Sequence, residues 1–317
     1  MANNNGVVII NQDFTIDWLD LLCECDLKTI GLHSLYSTGG LDGHLHWLLD
    51  EKTQRLIERF EQNGFTIEHQ LHAVDWLLPR PLFKVYPEWF RQNDAGERTP
   101  DWNLCASNPD ALAFVETSAY KLALLLRQKS HNYYIWSDDC VNSICKCDAC
   151  RALCGADQNM IVMQHVLKGL KRYDKDAKLS VLSYQDSLGL PTVKPDKDMF
   201  LEFAPVDRNH FSPLDGNDEA NRRNRKVLED SLAVFPASTT RILEYFLDVS
   251  LFCKWKREDA GALRLDEKVL RRDVAYYKSL GVGGLTTFTG FIDRNWRRKY
   301  GDNDIKTYAK VVHEIFG

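Results

Sequence analysis

Two adjacent aspartates and a group of cysteines share one short stretch, "YYIWSDDCVNSICKCDAC", Tyr133 to Cys150. Carboxylates at the end of an apolar run are suited to acid–base chemistry. One acid holds a proton for a leaving oxygen, while a second attacks, activates water or steadies a cation-like transition state. Asp139 is the candidate proton donor, Asp138 its neighbouring carboxylate, and Glu244, inside the apolar run "RILEYFLD", the candidate base or nucleophile. Cys145, Cys147 and Cys150 follow as C-x-C-x2-C. Three thiolates at that spacing suit a tetrahedral metal, and Cys105 is the candidate for the fourth. The expected cofactor is one structural zinc ion, with no organic cofactor, because a catalytic zinc keeps an open position and usually takes histidine. Free thiols, or a disulfide in an exported protein, remain the alternative.

These groups must be positioned by secondary structure. Short β-rich runs begin near Gly6, Thr29, Phe65, Tyr133, Leu179, Met199, Arg241 and Gly283, with helical patterns between most of them. Continuous apolar strands alternating with helices indicate buried parallel strands. Eight of them in this order predict a (β/α)8 barrel in one domain over residues 1–317, with a Cys-rich βα loop at 138–155. The fifth-to-sixth connection is too short for a good helix. An open doubly wound sheet is the alternative, but "IINQDFT" after the first strand is not a Gly-rich phosphate loop. A helix is expected from Trp47 to Asn63, and "GGLDGHLHW" before it reads as a Gly-rich mobile loop rather than a metal site built on His44 and His46. The long Pro- and Trp-rich connection from Asp75 to Asn108 reads as a functional loop.

In such a barrel the chemistry sits where strands end. His33, His72, Trp136, Tyr184, Glu202, Arg208, Tyr245 and Asp248 stand at or just beyond those ends and are the candidate substrate-binding residues. Aromatic faces stack on sugar C–H faces and carboxylates bind hydroxyls, so this set points to a carbohydrate. Each residue also has a plainer reading: a hydrogen-bonded strand-end histidine, a core tyrosine, or a buried acid as half of an ion pair.

The chain has 317 residues, a net charge of -5 and no basic stripe, which argues against a nucleic-acid partner. No apolar run approaches the ~18 residues of a membrane span, so no membrane partner is expected. "MANNNGVVII" shows no leader pattern, and the expectation is a cytoplasmic protein whose clustered cysteines are reduced.

Four segments carry a family resemblance: "YPEWF", "GERTPDWNLCASNPDAL", "WSDDCVNSICKCDACRAL" and "LSYQDSLGLPTVKPDKDMFLEF". They resemble the family catalogued as domain of unknown function 4838, over roughly Trp18 to Asp248. That family is grouped by fold with α-glucuronidases and β-hexosaminidases. The resemblance implies a glycoside hydrolase-like barrel that cleaves a glycosidic bond of an oligosaccharide or glycoconjugate. Hexosaminidases place an Asp-Glu pair at the end of strand four, where this chain has Asp138-Asp139. A carbohydrate-binding barrel without turnover and a zinc-stabilised interaction module are the competing functions.

Overall fold

A computed structural model describes residues 4–316; residues 1–3, on which part of the leader expectation rests, and Gly317 lie outside the described residues. Strand β1 (Gly6–Ile10) is followed by α1 (Asp17–Glu24), β2 (Thr29–His33), α2 (Gly40–Leu49), α3 (Glu51–Gln62), β3 (Thr66–His72) and the short α4 (Val74–Leu77). The long connection leads to α5 (Pro109–Leu126), β4 (Asn132–Trp136) and α6 (Gly155–Lys171). Then come β5 (Lys178–Ser183), β6 (Met199–Phe203), α7 (Glu219–Ser231), β7 (Arg241–Glu244), α8 (Glu267–Ser279), β8 (Gly284–Phe288), α9 (Arg294–Tyr300) and α10 (Asn303–Phe316). The strands close in sequence order into a (β/α)8 barrel, and β8 pairs in parallel with β1. β5 runs to β6 without an α-helix, as the short connection requires.

The strands form because they are buried on both faces. All five residues of β1, β2, β6 and β8 are buried. Caps set the helix starts. Asn108 accepts from the backbone N–H groups of Asp110 and Ala111 ahead of α5, and Asp218 and Asp266 do the same for α7 and α8. No described helix is long and apolar enough to cross a membrane.

One expected loop is a helix. "GGLDGHLHW" forms most of α2, and the helix expected from Trp47 to Asn63 is instead two helices. Gly39 and Gly40 turn the chain with φ of +92° and +56°, and a Cβ on Gly43 would lie 2.2 Å from the Thr38 carbonyl oxygen. The glycines therefore allow a tight helix start. The break falls at Asp50, whose backbone is extended and whose side chain accepts from the Thr53 N–H to cap α3.

Side-chain alternation decides what each strand presents. Leu243 and Tyr245 line the mouth of the barrel. Glu244 between them therefore faces the helical layer. There Arg208 Nη1 pairs with Glu244 Oε1 at 2.6 Å, and Arg208 Nη2 with Asp273 Oδ2 at 2.5 Å, with all three side chains fully buried. Tyr277 O–H also donates to Glu244 Oε1. This corrects the expectation for two residues: Glu244 is not at the mouth as a base, and Arg208 is not there as a sugar ligand. Both belong to an ion cluster that pins the β6–α7 loop to α8.

Removing one partner of a buried ion cluster leaves an uncompensated charge. Glu244→Ala is expected to lower stability by about 3–5 kcal/mol in urea unfolding. A loss below about 1 kcal/mol, the range of exposed pairs, would contradict a structural role.

Candidate functional site

The C-terminal mouth of the barrel gathers aromatic and polar groups from several strand ends. His33 from β2, His72 from β3, Trp136 from β4 and Tyr184 beyond β5 meet Tyr245 beyond β7 around one pocket. Trp136 and His72 rings cross edge-on with centroids 5.1 Å apart, and His33 lies 5.7 Å from each of His72 and Trp136. Burial, helped by the neighbouring His72, lowers the His33 pKa to about 4, so this ring is neutral at neutral pH. His33 Nδ1 lies 2.8 Å from the Gln70 carbonyl, and His72 Nδ1 lies 2.5 Å from the Ser137 carbonyl. A carbonyl only accepts, so in both rings Nδ1 carries a proton, and in the neutral His33 ring Nε2 is left as an acceptor.

The two aspartates, two and three residues beyond β4, part company. Asp139 lines the mouth pocket. Its Oδ1 accepts from Tyr184 O–H at 2.8 Å and from the Gln185 amide at 2.9 Å. Its Oδ2 has no hydrogen bond among the described residues, so one oxygen is anchored and the other is left for a ligand. Burial raises the Tyr184 pKa, which keeps that hydroxyl a donor. Asp138 turns the other way. Its carboxylate is 1% exposed and pairs with Arg80. Tyr36 O–H donates to it at 3.3 Å, and its backbone N–H donates to Asn103 Oδ1 at 2.9 Å. Asp138 thus fastens the β4–α6 loop to the long connection, and it is absent from the pocket that Asp139 lines.

Glu202 points into the barrel, one layer below the mouth. Its Oε2 accepts from the Trp136 indole N–H at 2.8 Å. Burial raises its pKa to about 8 and that of Glu68, in the same interior, to about 7. Glu202 therefore supports the underside of Trp136 and does not reach the pocket lining. Asp248 is also fully buried, and burial raises its pKa to about 7. Its Oδ1 accepts from the backbone N–H and hydroxyl of Ser250 at 2.8 and 2.6 Å. It organises the loop after β7 from behind. Tyr36, Trp255, Phe288 and Glu258 were not singled out by sequence, yet each lines the mouth region. The available signal was an aromatic in a βα loop, as at Tyr36, three residues beyond the end of β2.

Behind this loop the four sulfur atoms of Cys105, Cys145, Cys147 and Cys150 lie within 4.8 Å of one another, and all four residues are buried. Cys105 Sγ is 3.7 Å from Cys147 Sγ and 3.9 Å from Cys150 Sγ. The Gln92 backbone N–H and the Arg98 guanidinium donate to Cys145 Sγ at 3.3 and 3.7 Å. The cluster joins the long connection, which carries Cys105, to the loop that carries the aspartates.

The profile of the family described as "Domain of unknown function (DUF4838)" matches residues 39–246. No curated protein matches the chain in sequence. Similar solved structures include a β-N-acetylhexosaminidase from Bacteroides fragilis, with TM-score 0.56 and 10% identity over 98% of this chain. This chain spans 66% of that protein's length. A glycoside hydrolase family 5 enzyme from Prevotella bryantii matches with TM-score 0.53 and 10% identity, over 99% of this chain and 96% of its own. A chitinase from Rhizomucor miehei matches with TM-score 0.54 and 12% identity, over 99% and 100%. At these identities the likeness is one of fold: a glycosidase-like (β/α)8 barrel.

The Glu202 pKa has a consequence for stability. Its folded value, about 8, lies above the ordinary 4.5. Between those values the native state keeps a proton that the unfolded chain has released, so stability falls as pH rises through this window. Glu202→Gln keeps an acceptor for Trp136 and removes this dependence. Denaturant unfolding from pH 5 to 8 is expected to show a shallower decline in the variant, by up to about 1.4 kcal/mol per pH unit. Identical slopes would exclude Glu202 as the source.

Proposed function

The chain belongs to the DUF4838 family, and on that premise we propose that it is a glycosidase acting on an oligosaccharide or glycoconjugate. The observation that carries this is a carboxylate, Asp139, anchored by one oxygen in a pocket walled by aromatic rings. Aromatic faces fit the apolar faces of a sugar ring. The Nε2 atom of neutral His33 accepts a hydrogen bond from one of its hydroxyls, and His72 hydrogen-bonds another through Nε2. Asp139 gives its proton to the bridging oxygen as the bond to the anomeric carbon breaks. Water adds through its oxygen to that carbon. Its released proton passes to Glu258, a carboxylate lining the outer part of the cleft with Asp139. Solvent then restores both acids. Glu258 takes here the second role that the sequence assigned to Glu244. Asp138 positions Asp139 through their shared loop.

A second reading is a carbohydrate-binding barrel without turnover. It is favoured by the inner pocket, where Asp139 is the one carboxylate in the lining.

The Cys cluster holds a structural zinc ion in this reading. Zinc–sulfur bonds of about 2.3 Å in a tetrahedron put sulfurs about 3.8 Å apart. The separations of 3.7 and 3.9 Å fit that edge. They do not fit a disulfide, whose S–S bond is about 2.05 Å. When bound, the ion ties the long connection to the aspartate loop. A reducing, cytoplasmic setting belongs to the same reading, because only unoxidised thiols hold the metal.

Two measurements test these proposals. Asp139→Asn is expected to reduce hydrolysis of unactivated oligosaccharides by about 10²–10⁴-fold while sugar binding in calorimetry persists. Retained turnover would remove Asp139 as the proton donor. Elemental analysis of protein purified without added metal is expected to find about one zinc per chain. Cys145→Ser should lose it and melt roughly 10 °C lower. A metal-free parent with the same melting point would overturn the site.

A further inference from the structure

The cleft has two chambers, and Asp139 stands at their junction. It lines both, as do His33, His72 and Trp255. The inner chamber encloses about 410 Å³ of empty space, its open side included. Buried Trp136, Leu182, Tyr245 and Phe288 wall it. Below it the barrel is closed, because Trp136 is bonded to buried Glu202. The outer chamber is larger, about 1050 Å³ on the same measure, and its added lining is mixed, with Gln12, Thr38 and Glu258 beside Leu35, Tyr36 and Phe291.

Trp255 is held between them by dedicated structure. It is 46% exposed, so its indole face is open to the cleft. Its backbone and that of Lys254 are left-handed, with φ of +59° and +53°. Such non-glycine conformations are strained and persist only when their surroundings enforce them. Here the Trp255 N–H donates to the Ser250 carbonyl at 3.0 Å, and Asp248 grips Ser250. Gly290 leaves room for that grip, since a Cβ there would lie 2.4 Å from both Asp248 Oδ1 and Ser250 Oγ. The indole rests near Phe288 and edge-on to Phe291, with centroids 6.4 Å away in each case.

We infer that the inner chamber seats one terminal sugar ring and that Trp255 is the platform for the ring beyond it. The substrate is then a chain of at least two sugars, trimmed one residue at a time from its end. The closed floor admits one ring and blocks passage of a chain. The scissile bond falls at Asp139, where the chambers meet. Asp248 is a positioning residue for Trp255. This inference rests on the carbohydrate reading above.

The test uses the full chain carrying Asp139→Asn to prevent turnover. Calorimetry compares glucose with cellobiose and N-acetylglucosamine with chitobiose, with and without Trp255→Ala or Trp255→Phe. A thermal melt checks that each variant is folded. The disaccharide of at least one pair is expected to bind about ten-fold more tightly than its monosaccharide. Trp255→Ala should abolish that advantage, weakening the disaccharide about ten-fold more than the monosaccharide whose chamber it also borders, and Trp255→Phe should restore part of it. In the parent, the first product from the corresponding tetrasaccharide should be the monosaccharide. Equal losses for both ligands in Trp255→Ala, or internal cleavage first, overturns the inference and leaves the carbohydrate reading standing. Failure of every sugar to bind overturns both.

Discussion

Side-chain parity along the barrel strands is the constraint on which the rest of this structure depends. Successive residues of a strand face opposite sides. In a closed barrel one side is the interior and mouth, and the other is the layer of helices. β7 shows the consequence most directly. Leu243 and Tyr245 face the cleft, while Glu244 between them lies in an ion cluster with Arg208 and Asp273. A shift of one residue would exchange these sets, placing a carboxylate in the cleft and a tyrosine against α8. The barrel register therefore fixes which acids are available for chemistry before any local electrostatics applies.

Where the strands end, parity gives way to hydrogen bonding. Asp138 and Asp139 are neighbours in sequence with different environments. Arg80 and Tyr36 hold Asp138 out of solvent, and Tyr184 and Gln185 hold Asp139 at the pocket by one oxygen. Tyr36 ties the two together, since its hydroxyl donates to Asp138 and accepts from the Asp139 N–H at 3.2 Å. The loop then continues into a mesh of bonds. Asp186, next to Gln185, accepts from the backbone N–H groups of Asn142 and Ser143. Asn103 donates to the Ser143 hydroxyl and accepts from the Asp138 N–H. The cysteine cluster closes this mesh from behind. The thiols and the candidate acid are thus parts of one scaffold, built from four segments distant in sequence.

The same division between lining and support appears at β6 and beyond β7. Asp248 never reaches the cleft, yet it organises the turn that presents Trp255. Glu202 likewise supports Trp136 from within the barrel. Buried acids of this kind are costly unless each is bonded or protonated. The raised pKa values of Glu202 and Asp248, about 8 and about 7, show burial favouring the neutral form at both.

The sequence by itself determined the barrel. Eight apolar runs, their order and the missing helix between the fifth and sixth were all legible, because burial on two faces leaves a continuous apolar signal. The C-x-C-x2-C spacing and upstream Cys105 also indicated a cluster, because thiols that meet in one loop carry their spacing in the chain. Local chemistry was less legible where glycine allowed two conformations, and "GGLDGHLHW" is a helix rather than a loop. Only the tertiary structure decided which acids face the cleft. The Glu244 partners Arg208 and Tyr277 lie 36 and 33 residues away, Asp273 lies 65 residues from Arg208, and Arg80 lies 58 residues from Asp138. No local pattern encodes such pairings. They arise when the closed barrel brings distant loops and helices together, and a single residue of register separates a buried ion pair from a group in the cleft.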